Sequence, residues 1–388
     1  MIGTNLRCEE GNMKITVVTI SYNAEKTIEQ TIRSVISQKY DNVEYIIIDG
    51  GSTDQTVDII RKNEKYVSYW ISESDKGVYD AMNKGLSHSS GDVITFLNSD
   101  DYYLEDALKY VAQYFEKNNL DILCCEVMVE QDRKLHSHSN PWESFPEKLR
   151  EGYMMYSHQG IFAKRECFTK WGNFNTSYRI VADYDWLLRL YNQNVKLAYS
   201  PKVVAVFRYG GLSTNNLMDT VDEVYKVAKW HAKNEFQTRK ITSNEYKSLC
   251  QNIQSIIGKQ YLYAYAQMCK MNGAQLLKNV IYPNVNAGVN YAIFGVGKLG
   301  IACLSVMKSL EMQVEFFVDN DIKKWNTIVE GVKVKNPQEL IEQKVFIVVA
   351  SQYYEEEIFE QLEDLGLKKE INYIGCAQLC QIIKNYEL

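Results

Sequence analysis

"KITVVTISYNAEKTIEQTIRSVISQ", residues 14–38, joins a β-branched run to a segment with Ile28, Ile32, Val35 and Ile36 at helical spacing. The first part reads as a strand buried on both faces and the second as an amphipathic helix. The unit then repeats. "VEYIIIDGGS" is a strand running into a glycine turn, and "TDQTVDIIRKN" opens a helix with Ser/Thr/Asp capping chemistry. "VSYWISES", "GVYDAMNKGLSHS" and "DVITFL" continue the alternation. Strand, helix, strand, helix, strand over about ninety residues predicts an α/β fold with a parallel sheet covered on both faces.

The chain has 388 residues, 46% hydrophobic and 24% charged, with a net charge of −6. That is globular usage for more than one domain and gives no footprint of a bulk nucleic-acid binder. Apolar runs such as 345–350 and 45–48 fall far short of the roughly 20 residues that span a bilayer. "MIGTNLRCEEGNMK" has no apolar stretch of signal-peptide length, so a cytoplasmic protein is expected, with its nine cysteines as reduced thiols.

Residues 1–12 read as an N-terminal extension and 13–215 as the first domain. After residue 215 the pattern becomes helical and aromatic-rich, which suggests a helical connector over 216–286. "VNYAIFGVGKLGIACLSVMKSL" (289–310) restarts a strand, a glycine loop and a helix, followed by "QVEFFVDN" and "KVFIVVAS". A second, small Rossmann-like α/β domain is expected over 287–388.

Three strands of the first domain end in polar residues: Thr19 to Asn23, then Asp49, then Asp100 and Asp101 in "GDVITFLNSDDYY" (91–103). In a doubly wound sheet, ligands bind beyond these strand ends. One or two carboxylates there suit a hard divalent cation that keeps its waters and bridges to phosphate. Taken alone, Asp100 serves equally well as the cap of a helix beginning near Leu104.

The longer run "SESDKGVYDAMNKGLSHSSGDVITFLNSDD" (72–101) resembles the segment of family-two glycosyltransferases that ends in their metal-binding carboxylate motif. "TVVTISYN", "IIIDGGSTDQT", "HQGIFAKRECF", "VADYDWLLRL" and "YGGLS" stand in the same order, and the resemblance covers about residues 13–215. It implies the GT-A fold, a Rossmann-like nucleotide-sugar-binding sheet. The activity implied is inverting transfer of a sugar from a nucleoside diphosphate, most commonly UDP, to a hydroxyl of a glycan or lipid-linked acceptor. Family members usually build cell-surface polysaccharide, so the resemblance places the enzyme at the inner face of the membrane, with Mg or Mn as cofactor.

The resemblance also implies roles. Asp101 matches the metal ligand, with Asp100 near the ribose or in the metal's outer shell. Asp49 matches the acid beside the nucleotide base; an Asx turn with Gly50 is its other reading. Thr19, Tyr22 and Asn23 line the nucleotide. Asp80, Asn83 and Lys84 fall beside the diphosphate and donor sugar, although Lys84 also suits a solvated helix face. Asp75 and Lys76 read as turn residues.

Asp183 inherits the role of general base, with Ala182 standing where a glutamate is usual. Asp185, two residues on, belongs to a different helix face and so to a different task, with substrate contact as one candidate. His158 is another candidate substrate contact, and Arg208 a counter-charge to the diphosphate. Trp142, Phe145, Tyr153 and Tyr156 suit acceptor stacking or core filling, and "HSH" at 136–138 reads as a solvated loop.

In the second domain Gly295, Gly297 and Gly300 have G-x-G-x-x-G spacing between a strand and a helix, with Asp319 ending the next strand. That context makes a second nucleotide site a candidate. The domain resembles Rossmann-like modules appended to sugar transferases, which bind nucleotides or act as assembly surfaces, so a homo-oligomer is a further expectation. A nucleotide-sugar oxidoreductase or epimerase would need a Tyr-x-x-x-Lys pair, which does not follow the glycine loop. A non-catalytic nucleotide-sugar sensor is the remaining alternative, and Asp101 and Asp183 speak against it.

Overall fold

The computed structural model describes residues 13–131, 134–137, 145–153, 157–191, 193, 195–272, 290–309, 312–343, 345–351, 354–369 and 372–376. The expected extension, residues 273–286 of the expected connector, and Trp142, His138 and Tyr156 lie outside them. The chain divides into two compact units. One comprises residues up to Asn216 with Lys226–Asn234, the other Leu217–Tyr225 with Glu235 onward. No described helix is long and apolar enough to cross a membrane.

The first unit is built on strands β1 (Ile15–Ser21), β2 (Val43–Asp49), β3 (Tyr69–Ser72), β4 (Val93–Asn98), β5 (Tyr102–Tyr103), β6 (Ile122–Gln131), β7 (Lys134–Ser137), β8 (Ile161–Lys164) and β9 (Leu197–Arg208). Its helices are α1 (Ile28–Ile36), α2 (Thr56–Lys62), α3 (Val78–His88), α4 (Ala107–Lys117), α5 (Phe145–Arg150), α6 (Arg165–Trp171), α7 (Ala182–Tyr191) and α8 (Leu212–Asn215). The sheet order is β3-β2-β1-β4-β8-β6-β9-β5, with β7 paired to β6.

The first four strands are parallel, as the alternation in the sequence predicts. Strand order reverses between β1 and β4, which opens a crevice beyond their carboxyl ends. In register, Ser21 stands opposite Asp49, and Ile20 opposite Asn98, so three strand ends share one edge. Beyond β4 the sheet is mixed: β8 runs antiparallel to β4 and β6, and β5 antiparallel to β9.

Sequence periodicity explains how the helices sit. Ile28, Ile32 and Val35 bury the inner stripe of α1, while Ile36 turns toward solvent. Thr31 on the same stripe donates through Oγ1 to the carbonyls of Ser99 and Asp101, at 2.9 and 2.6 Å. The helix thereby grips the turn where β4 leaves the sheet. On the other face α3 lies so close to β1 that a side chain on Gly85 would collide with Val18.

The second unit has strands β10 (Asn290–Phe294), β11 (Gln313–Val318), β12 (Ile328–Val329), β13 (Val332–Lys335), β14 (Phe346–Val349) and β15 (Tyr373–Gly375), ordered β12-β13-β11-β10-β14-β15. All neighbours are parallel except β12 and β13. The helical stretch after residue 215 forms α9 (Leu217–Gln237) and α10 (Ser243–Asn272). Residues 226–234 of α9 belong to the first unit.

Glu44 ties the start of the first sheet together. Its carboxylate accepts from Lys14 Nζ at 2.7 Å, Thr16 Oγ1 at 2.6 Å, and Ser90 N and Oγ at 2.6 and 2.5 Å. Burial alone raises this carboxyl, but the bonds from Lys14, Ser90 and Thr16 outweigh it and bring it from 4.5 to about 2. A depressed carboxylate stabilises the fold fully above its unfolded value, and the gain is lost as pH falls toward the folded one. Acid unfolding should therefore show wild type more stable than Glu44→Gln above pH 4.5, with the difference vanishing near pH 2. Equal stability of the two proteins at neutral pH would refute this.

Candidate active site

The site is organised by the turn after β4. Asp101 is fully buried, and both its oxygens are used: Gln159 Nε2 donates to one, and the Arg208 backbone N–H to the other at 2.9 Å. Burial pushes its carboxyl well above the usual range, and the neighbouring Asp100 charge adds to the rise. Neither oxygen of Asp101, the expected metal ligand, faces solvent.

The partly exposed carboxylate of the pair is Asp100, whose Oδ2 lies 3.4 Å from where a side chain on Gly211 would begin. Burial raises its carboxyl too, while His158 and Arg208 work to lower it. Asn98 Oδ1 and Gln159 Oε1 are buried acceptors without partners among the described residues. An oxygen-rich turn short of donors fits a hard divalent cation. Among the described residues no group of three or more His, Cys, Asp or Glu side chains forms a complete cage.

The turn His158–Gly160 carries the next groups. Gly160 packs against β6 so tightly that a Cβ there would lie 2.5 Å from the Cys125 carbonyl. Beside Gly160, Gln159 turns inward to Asp101, and the His158 side chain is largely buried. His158 Nδ1 stands 3.7 Å from Asp183 Oδ2, and His158 also feels the Asp100 charge. Burial lowers the histidine, and the two carboxylates oppose that shift.

Asp183 lies in the first turn of α7. Tyr79 Oη lies 2.8 Å from Asp183 Oδ1, and the Tyr184 N–H donates to the same oxygen at 2.9 Å. Oδ2 is left toward His158. Below them an apolar pocket is lined by Phe96, Phe168, Phe174 and Trp186, with Phe168 and Trp186 stacked at 4.4 Å. Such aromatic pairs contribute about 0.5–1.5 kcal/mol beyond their burial and fix the helix that projects Asp183.

Asp185 has a structural task instead of the expected substrate contact. It is buried, with Arg189 Nε at 3.1 Å and His231 Nε2 at 2.9 Å. Several other expected nucleotide contacts are likewise committed. Asp49 is fully buried and accepts from Ser21 and Ser72 hydroxyls, from the Ser52 hydroxyl and N–H, and from the Gly51 N–H. It forms the Asx turn and leaves no oxygen for a base.

Thr19 is buried under the Tyr45 hydroxyl at 3.2 Å. Asn83 clips the backbone of Phe174 through both amide atoms, and Asp80 accepts from the Lys76 N–H. Lys84 is held by Glu73 at 2.8 Å and Asp80 at 3.7 Å, which neutralise the charge expected for a phosphate. The Arg208 guanidinium binds Glu130, Gln30 and the Asp100 carbonyl, so it clamps the strand ends. Tyr22 stands 65% exposed beside Asn23, which accepts from the Thr53 N–H.

In the second unit, Gly295 has φ +112 and Gly300 packs on the Gly295 carbonyl, which is the tight strand-to-helix turn expected. Asp319 does not present itself to a ribose: Val296 N, Asp321 N and Lys324 Nζ take its oxygens at 2.9, 2.9 and 3.1 Å.

Tyr79 and Gln159 were not foreseen as site residues. Gln159 sits beside the flagged His158, but nothing in the sequence indicates that it seals Asp101. Tyr79 follows the helix-opening glycine as one aromatic among many, with nothing to mark it as the partner of Asp183.

Residues 16–171 match the family model described as "Glycosyl transferase family 2", and 289–371 match "C2185-like, N-terminal". The chain is 32% identical over 181 residues to an uncharacterized glycosyltransferase of Mycobacterium tuberculosis (strain CDC 1551 / Oshkosh), covering 45% of this chain and 68% of that protein. It is 30% identical over 214 residues to a PGL/p-HBAD biosynthesis glycosyltransferase of Mycobacterium bovis (strain BCG / Pasteur 1173P2), covering 53% and 80%. Staphylococcus aureus TarS 1-349, solved with UDP-GlcNAc, superposes with a TM-score of 0.50 at 15% identity over 77% of this chain and 89% of that one. Against the longer TarS chain the overlap is 54% of its length. At such identity the likeness is one of fold.

The two aspartates should part company on substitution. Asp101→Ala strands the Gln159 and Arg208 donors and should cost about 2–4 kcal/mol in chemical denaturation. Asp100→Ala should stay within about 1 kcal/mol of wild type. A reversed order would refute the burial argument.

Proposed function

Because the chain belongs to glycosyltransferase family 2, we propose that its first unit transfers a sugar from a nucleoside diphosphate to an acceptor hydroxyl with inversion. The observation that carries this reading is the cluster of Asp100, His158 and Asp183 at the edge where β1, β2 and β4 end.

The acceptor hydroxyl is deprotonated by Asp183, whose Oδ2 remains available while Tyr79 and the Tyr184 N–H hold Oδ1. The acceptor oxygen bonds to the anomeric carbon from the face opposite the diphosphate. The bond between that carbon and the diphosphate oxygen breaks, and its electron pair leaves with the diphosphate. His158, beside both carboxylates, orients Asp183. Asp100, with the Asn98 and Gln159 oxygens, would hold a Mg or Mn ion; when bound, the ion supplies Lewis-acid stabilisation of the leaving group.

The TarS fragment was solved with UDP-GlcNAc, which makes a UDP-sugar the first donor to test. The acceptor on this reading is a hydroxyl of a glycan or lipid-linked molecule, met at the inner face of a membrane. The second unit serves this reading as an assembly surface.

Donor hydrolysis measured with UDP-GlcNAc and Mn should fall about 10²–10⁴-fold in Asp183→Asn, with UDP affinity retained. The anomeric configuration of a transfer product, read by proton NMR, should be inverted. Unchanged turnover in Asp183→Asn would remove that residue from the role of base, and a retained configuration would remove the direct displacement.

A further inference from the structure

The exclusion of Asp49 leaves the nucleobase without its expected acid. The partly exposed carboxylate at the carboxyl ends of β1 and β2 belongs to Asp75. Its Oδ1 accepts from the Gly77 N–H at 2.8 Å, in a turn that Gly77 enters with φ +114. Its Oδ2 accepts no hydrogen bond among the described residues and hangs over Gly50. A Cβ on Gly50 would lie 2.6 Å from Asp75 Oδ2 and 3.5 Å from Tyr22 Cδ2. Asp75 thus occupies the space a side chain at position 50 would fill, flanked by an aromatic ring that is 65% exposed.

We propose that Asp75, fixed by Gly77 and admitted by Gly50, is the residue that reads the donor base, with Tyr22 as its stacking platform. An ionised carboxylate only accepts hydrogen bonds. Oδ2 therefore selects a base whose ring nitrogen carries a proton beside a carbonyl, as in uracil and guanine. It disfavours cytosine, whose corresponding nitrogen is an acceptor. Gly50 is required because any larger residue would push the carboxylate out of place. This inference rests on the nucleotide-sugar reading above and adds which residue sets the choice of base.

Substitution by asparagine turns the proposal into a reversal of preference. The amide introduced by Asp75→Asn has one oxygen, which the Gly77 N–H retains, so its NH2 faces the base and favours an acceptor there. Calorimetric titration of UDP, GDP and CDP with Mn into wild type, Asp75→Asn, Tyr22→Ala and Asp100→Ala tests it. Wild type should bind UDP or GDP more tightly than CDP. In Asp75→Asn that ratio should fall roughly tenfold or more, since a hydrogen bond to a charged group is replaced by opposed donors. Tyr22→Ala should weaken all three nucleotides alike, and Asp100→Ala should remove the metal-dependent part of binding without changing the ratio. An unchanged ratio in Asp75→Asn, with metal-dependent binding intact, overturns the assignment to Asp75 alone. Absence of metal-dependent binding of any nucleotide to wild type overturns the transferase reading and this inference with it.

Discussion

A carboxylate buried without compensation costs several kcal/mol, and the first unit holds one at the end of its central strand. Asp101 is tolerated there because Gln159 and the Arg208 N–H both donate to it, while Thr31 on α1 secures its carbonyl. Those partners come from positions 31, 159 and 208, so the crevice closes only when helix, turn and last strand arrive together. The arrangement also decides its neighbour: with Asp101 turned inward, Asp100 is left as the carboxylate of the pair with access to the crevice. One buried carboxyl group thus fixes both the local fold and which of the two acids reaches the crevice.

The same logic of alternation operates on α7. Side chains two residues apart on a helix project about 200° from each other. Asp185 faces inward, into a network with Arg189 and His231, and Asp183 faces out to Tyr79 and His158. The inward acid anchors the helix, through Arg189, to the carbonyls of Trp171 and Asn173. The outward acid inherits that rigidity, which a proton acceptor needs if it is to meet a hydroxyl at hydrogen-bond distance.

Much of this was legible in the sequence, and what was not has a physical reason. Alternating β-branched runs and amphipathic helices identify β1 to β4 because each element carries its own period. The mixed half was hidden because β6, β8 and β9 pair across long separations that leave no local mark. The strand-end acids were recognised as a set, yet adjacency does not say which of two carboxylates turns inward. Here Asp101 is the buried one and Asp100 the partly exposed one. For Asp49 the sequence offers both a ligand-facing acid and an Asx turn; Ser21 and Ser72 from two neighbouring strands complete its shell, and neither serine announces this in sequence.

The glycine loop of the second unit shows how a binding fingerprint and a folding requirement share residues. Gly295 needs its positive φ and lies under the Ala350 carbonyl, and Gly300 lets the helix from Lys298 close onto the loop. Asp319 completes the turn by accepting from Val296 N, the hydrogen bond that joins β11 to the loop after β10. Packing alone accounts for these three residues. Gly297 differs, since a side chain there would meet nothing within 4 Å. Of the three glycines it alone faces open space. The outer glycines of the G-x-G-x-x-G spacing thus serve strand-to-helix closure.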